Sequence, residues 1–182
     1  MIIKSFELNK IKINTANLIL FYGKNEGEKN QYLKSLKKQN KEIYNYEEKE
    51  ILENSDNFFN KVLTKSLFEN ERVVIIKRAS EKLLKIIENL TLNQLEDTII
   101  ILNADILDKK SKLRSFFEKS KEFICVPFYP DNEQTLSKIA SNFLREKNIS
   151  ISQSNINLII SRSNGDRATL FNELKKIELY CK

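Results

Sequence analysis

The sequence predicts an α/β fold, a parallel sheet with flanking helices followed by a small, lid-like domain of three helices. Three observations predict it. Continuous apolar, β-branched runs of strand length alternate with amphipathic stretches of helix length over the first 130 residues, as expected when strands are buried on both faces. The first clear strand runs into a glycine, with a lysine six residues on. Beyond Pro127 and Pro130 no strand candidate of similar strength occurs, only helices.

The opening "IIKSFELNKIKI" reads as an edge strand or hairpin. Residues 18–22 form the first buried strand, and 29–38 the helix after it, with Tyr32, Leu33 and Leu36 on one side. A short strand follows at 43–46. "RVVIIK" (72–77) and "TIIIL" (98–102) are continuous apolar strands separated by the helix "EKLLKIIENL", and "EFICVPF" (122–128) supplies one more. The boundary falls near Asp131, dividing the chain into 1–130 and 131–182. Helices are expected at 133–147, at 153–162 and from 166 to the end. Asn164-Gly165 provides a left-handed stop between the last two, and Asp166 can cap the last. That helix is still running at Lys182, with Leu174, Ile177 and Leu179 covered by nothing later, so the chain reads as a fragment of a longer protein.

Composition narrows the chemistry. Lys+Arg of 31 against Asp+Glu of 25 gives a formal charge of +6 and invites a nucleic-acid or acidic partner. The excess is mostly lysine interspersed with glutamate, with no run of five or six like charges and no Arg-rich segment interleaved with aromatics. Histidine is absent, which removes the commonest general base and metal ligand. Cys125 and Cys181 are too far apart in sequence for a local CxxC knuckle, so neither metal nor disulfide is expected, and reduced thiols fit a cytoplasmic protein. No apolar run approaches the ~20 residues of a membrane span, and Lys4, Glu7 and Lys10 interrupt any signal-peptide core.

"FYGKNEGEKN" (21–30) has the outline of a phosphate-binding loop. That loop needs glycine, four free residues, glycine, lysine and then serine or threonine, because backbone N–H groups cradle the phosphates and the hydroxyl reaches magnesium. Gly23 and Lys29 fit this register. Glu28 stands where the second glycine belongs, Gly27 is one place early, and Asn30 replaces the hydroxyl. Glu26 and Glu28 also bring negative charge to a helix N-terminus that would otherwise favour an anion. The spacing alone leaves two readings open: a phosphate loop that has kept its shape and lost its chemistry, or an ordinary strand-to-helix turn.

Other parts of an ATP site are also missing. The strand that would carry magnesium-binding carboxylates ends in Lys77 and Arg78, two cations. The next ends in Asn103 and Asp105, where Asn103 reads either as a phosphate sensor or as a turn former. No other catalytic constellation is present, and acidic pairs such as Glu47-Glu48 read as solvated helix faces.

"NFFNKVLTKSLFEN" (57–70) is the remaining candidate. On a helix, Phe58, Phe59, Val62, Leu63 and Ser66 share one broad face, Leu67 lies at its edge and Phe68 falls almost opposite. Phe68 is therefore either tucked under the following strand or presented to a partner, for which a Leu-Phe pair would be a good anchor.

These residues together resemble the delta subunit of the bacterial DNA polymerase III clamp loader, over the whole length of the chain. "LILFYGKNE" is similar to that family's first core strand and degenerate phosphate loop, "SLFENERVVII" to its clamp-binding element and following strand, and "SNGDRATLFNELKKIELY" to the end of its second domain. The resemblance implies an AAA+-like (P-loop NTPase-like) α/β domain over 1–130, a helical domain over 131–182, and a C-terminal collar domain that is absent from this sequence. It implies that Leu67 and Phe68, with Ser66 and Thr64 beside them, bind the beta sliding clamp and open it for loading on primed DNA. It also implies that Gly23, Gly27, Glu28, Lys29 and Asn30 hold no ATP, and that the chain has no cofactor and no catalytic activity of its own within the DNA polymerase III holoenzyme, a DNA-directed DNA polymerase. The ATPase subunits and delta prime are further partners if the collar is present, DNA is contacted weakly or indirectly, and no membrane is involved. Two other readings compete. An ATP-hydrolysing clamp-loader subunit or other P-loop NTPase needs an intact GxxxxGK[ST] and an acidic strand end, and the loader's motor would be expected to carry a cysteine zinc module. A basic DNA-binding module would show affinity falling steeply with salt in the absence of any clamp.

Overall fold

The structure, a computed structural model, describes residues 1–10, 16–37, 42–64, 72–93, 95 and 98–181. Five parallel strands, β1 (Leu18–Tyr22), β2 (Glu42–Glu47), β3 (Arg72–Lys77), β4 (Thr98–Asn103) and β5 (Ile124–Pro127), lie in the order β2-β3-β4-β1-β5. Between them run α1 (Glu26–Lys37), α2 (Glu48–Glu53), α3 (Ser55–Leu63), α4 (Leu84–Thr91) and α5 (Lys112–Lys119); α6 (Glu133–Glu146), α7 (Gln153–Arg162) and α8 (Arg167–Tyr180) follow. The chain divides into two compact units, Met1–Lys24 with Tyr32–Phe128, and Asn25–Gln31 with Tyr129–Lys182.

The continuous apolar runs follow from burial of the sheet on both faces. Leu18, Leu20, Tyr22, Val74, Ile76, Ile100 and Leu102 pack with Ile51, Phe58, Ile87, Leu113 and Phe117 of the helices on one face. Ile19, Phe21, Val73, Ile75, Ile99 and Ile101 pack with Leu33 and Leu36 of α1 on the other. Each such side chain contributes roughly 1.5–3 kcal/mol by leaving water.

The opening stretch, expected as an edge strand or hairpin, runs partly over residues 11–13, which lie outside the described residues, and residues 1–10 hold no strand beyond one bridge. Ile2 makes a single parallel bridge to Cys125, with Ile3 N–H donating to the Cys125 carbonyl at 3.0 Å, and Ser5–Lys10 turns into a 3-10 helix. The helix wins locally because Glu7 caps its start, its carboxylate accepting from the Lys4 N–H at 3.1 Å. Helix α1 begins three residues before the position read from the sequence, since the Asn25 side chain accepts from the Glu28 N–H at 3.0 Å and acts as its N-cap. Pro127 lacks an N–H and sits in β5, which pairs on one side with β1 and, among the described residues, meets the Ile2 bridge on the other.

In the second unit Leu136, Ala140, Leu144, Ile156, Ile160, Leu170 and Leu174 form the core of α6, α7 and α8. Asn164 (φ 48°) and Gly165 (φ 78°) make the left-handed stop, and the Asp166 carboxylate accepts from the Thr169 N–H at 2.7 Å and its hydroxyl at 2.6 Å. Those bonds, the hydroxyl's first, hold the Asp166 carboxyl below its usual range. Asp166→Ala is expected to cost about 1 kcal/mol at neutral pH, as loss of an N-cap does. Because the folded value is depressed, this stabilisation is present above the unfolded value near ~3.9 and fades as pH falls through the lower folded value. Urea titrations of wild type and variant should therefore converge in acid.

Candidate functional site

In an open parallel sheet the natural binding crevice lies at the carboxyl ends of the strands, where the chain changes the side on which it adds them. Here that point is the end of β1, flanked by β4 and β5. Backbone groups converge on it: Ala104 N–H donates to the Phe21 carbonyl, Phe128 N–H to the Tyr22 carbonyl (both 2.8 Å), and Gly23 N–H to the Asp105 carbonyl (3.1 Å). Gly23 has φ 117°, and a Cβ there would lie 2.3 Å from the Phe128 carbonyl oxygen. The glycine is thus required by the strand-end geometry.

The rest of the loop lies in the second unit, and protein groups occupy it. Lys29 is fully buried and its ammonium pairs with the Glu26 carboxylate one turn earlier. Glu28 lies 3.5 Å from the Arg167 guanidinium, and Asn30 is exposed. Gly27 is enclosed, because a Cβ there would lie 2.8 Å from the Ala168 nitrogen and 2.9 Å from the Arg167 Cβ. Arg167 forks onto Asp131 through Nε at 2.7 Å and Nη2 at 2.5 Å, and Asn25 Nδ2 donates to the same carboxylate at 2.9 Å. Burial alone pulls the Arg167 guanidinium down, and its bonds to Asp131 with the charges of Glu28 and Asp131 more than offset this, raising it above its ordinary value. Three carboxylates, Glu26, Glu28 and Asp131, thus face two cations, Lys29 and Arg167.

At the strand ends, Lys77 and Arg78 are exposed, and Arg78, in the left-handed region at φ 56°, stands 3.6 Å from Glu47. Asp105 is exposed, and Asn103 Oδ1 is buried without a hydrogen-bond partner. No group of three or more potential metal ligands occurs among the described residues.

Of the Leu-Phe segment, Thr64 is described, whereas Ser66, Leu67 and Phe68 lie outside the described residues. The helix expected over 57–70 ends at Leu63, with Thr64 extended at φ −69° and ψ 125°. Arg72, the first residue of β3, holds the chain at this stop: its guanidinium donates to the Lys61 carbonyl of the last turn at 3.2 Å and to the carbonyl of Thr64, the C-cap. Phe58 and Val62 are buried as the helical spacing requires, while Leu63 is 37% exposed.

Asn25 and Arg167 fall inside stretches that the sequence singles out, but nothing in it joins them to Asp131, which lies 106 and 36 residues away.

A sequence model of the family described as DNA polymerase III, delta subunit, matches residues 19–126, more than half of the chain. No curated protein sequence matches significantly. Among solved structures, the Bacillus subtilis DNA clamp loader delta protein is similar with a TM-score of 0.62 at 16% identity, over 97% of this chain and 57% of that one. Domain III of the Thermotoga maritima replication initiation protein DnaA gives 0.58 at 16% identity over 97% and 80% of the two chains. The Thermotoga maritima RuvB Holliday junction branch migration motor gives 0.59 at 18% identity over 94% and 58%. The shared architecture is the AAA+-like parallel sheet flanked by helices with a helical region after it. This chain spans little more than half the length of the B. subtilis protein.

Proposed function

We propose, because the chain belongs to the DNA polymerase III delta-subunit family, that it binds the beta sliding clamp through Leu67 and Phe68, with Ser66 and Thr64 beside them, and opens the ring without binding or hydrolysing ATP. The observation that supports the nucleotide-free part most directly is the filling of the phosphate loop by Glu26, Glu28, Asp131 and Arg167. Opening is a population shift: the subunit binds the opened ring more tightly than the closed one. Taking a ring from about 1% to 99% open requires roughly 5.5 kcal/mol of differential binding, a size that demands a desolvated aromatic anchor rather than rim charges. In this reading 1–130 is the clamp-binding domain and 131–182 a helical domain; the ATPase subunits and delta prime are further partners if a collar domain is present, DNA is met weakly or indirectly, and the work is done in the cytoplasm. No helix among the described residues is long and apolar enough to cross a membrane.

Calorimetry of this chain with the sliding clamp of the same source tests the reading. Binding is expected with the same affinity in the presence and absence of magnesium ATP. Absence of binding, or binding that requires ATP, overturns it.

A further inference from the structure

Within the compact unit formed by Asn25–Gln31 and Tyr129–Lys182, one buried carboxylate joins groups that are far apart in sequence. Asp131 Oδ2 accepts from Asn25 Nδ2 at 2.9 Å and from Arg167 Nε at 2.7 Å, and Oδ1 accepts from Arg167 Nη2 at 2.5 Å. The Asp131 side chain is 5% exposed and that of Arg167 11%. Arg167 Nη1 also reaches Gln31 Oε1 at 3.3 Å and Glu28 Oε1 at 3.5 Å, so one guanidinium touches both the first turns of α1 and Asp131, two residues before α6. Two of the loop's N–H donors are held by Asn25 itself, Glu28 N–H by Oδ1 at 3.0 Å and Lys29 N–H by the carbonyl at 3.1 Å. Gly27 lies so close to Ala168 and Arg167 that a side chain there would not fit between them.

We propose that Asp131 is an internal substitute for a bound phosphate: it takes the loop's amide and the arginine at the start of α8 together, and so fixes the first turn of α1 to the helical residues as a permanent, ligand-independent clasp. The chemistry fits the role. A carboxylate presents two acceptor oxygens in the plane that a guanidinium fork matches, and a phosphate offers the same pattern with more charge. A phosphate must be delivered and can leave, whereas Asp131 is covalently present. Where a nucleotide would alternately order and release this segment, the clasp holds it in one arrangement throughout. Removing one partner of such a buried pair leaves an uncompensated charge, which makes the clasp costly to open. Clamp binding plays no part in it, and the clasp would stand even if calorimetry showed no clamp affinity.

Hydrogen-exchange mass spectrometry on the full chain tests this with wild type, Arg167→Ala and the isosteric Asp131→Asn. In both variants the amides of 25–31 and of 167–171 are expected to exchange faster together, on the order of tenfold or more, as a local opening unit does. The α7 peptides should stay unchanged, and an excess of magnesium ATP should leave wild-type 25–31 unaltered. If Arg167→Ala fails to fold, Asp131→Asn decides, since it preserves volume while removing the charge and one of the two acceptor oxygens. Unchanged exchange in Asp131→Asn, loosening of one segment without the other, or protection of wild-type 25–31 by ATP would each overturn the clasp.

Discussion

Replacing Leu67 and Phe68 together by alanine is expected to weaken binding to the sliding clamp by on the order of 2 kcal/mol or more, a loss of roughly thirtyfold in affinity. The size follows from what an aromatic anchor does. A phenylalanine that leaves water for a partner's pocket removes about 150 Å² or more of apolar surface, equivalent to roughly 4 kcal/mol at ~25 cal/mol per Å²; ordering of the side chain and of the two molecules offsets part of this. The chain entering the segment is fixed where it can be described. Thr64 is extended, its carbonyl and that of Lys61 are held by Arg72, and Phe58 and Val62 root α3 in the core. Titration calorimetry of wild type and double variant, each with a circular dichroism spectrum taken first, makes the measurement. Equal affinity for the two proteins would remove Leu67 and Phe68 from the interface. A variant that loses its helical and sheet spectrum would place those side chains in the core, the alternative that helical geometry leaves open for Phe68.

What the sequence disclosed, it disclosed where a physical constraint acts on neighbouring residues. β3 at 72–77 and α7 at 153–162 stand where the apolar runs and periodicity put them, because burial on both faces, or on one stripe, writes itself into consecutive positions. Helices α2 and α5 were not read because they are short and highly charged. The first is set by a reciprocal capping box between Glu47 and Glu50 and by burial of Ile51, the second by the Ser111 cap and by burial of Leu113 and Phe117. The Glu47-Glu48 pair, legible only as solvated charge, turns out to have specific partners: Glu48 accepts from both the N–H and the hydroxyl of Ser80. The early end of α3 is held by Arg72, and the start of α1 by Asn25 in a stretch read for phosphate binding. The loop's defects were visible as wrong residue types at set spacings. What fills the loop was not, since Asp131 and Arg167 reach it only through tertiary structure.

Gly23→Ala is expected to destabilise the protein by roughly 3 kcal/mol or more, combining about 1–3 kcal/mol of backbone strain with about 1–3 kcal/mol of overpacking. At φ 117° an L side chain is strained whatever the space around it, and here the new methyl would also stand 2.3 Å from the Phe128 carbonyl oxygen. That carbonyl cannot retreat cheaply, because the adjoining Phe128 N–H is bonded to the Tyr22 carbonyl and the Gly23 N–H to Asp105. Gly165→Ala serves as the internal comparison: its φ is 78° but nothing lies within 4 Å, so it should show strain alone. Urea unfolding of the two variants separates the contributions, with Gly23→Ala losing clearly more. If the two lose equally little, the turn after β1 can relax, and a glycine at position 23 is explained by space for a phosphate rather than by the fold. A larger loss at Gly23 means that the first glycine of the phosphate-loop pattern is required by the meeting of β1, β4 and β5, whatever the rest of the loop holds.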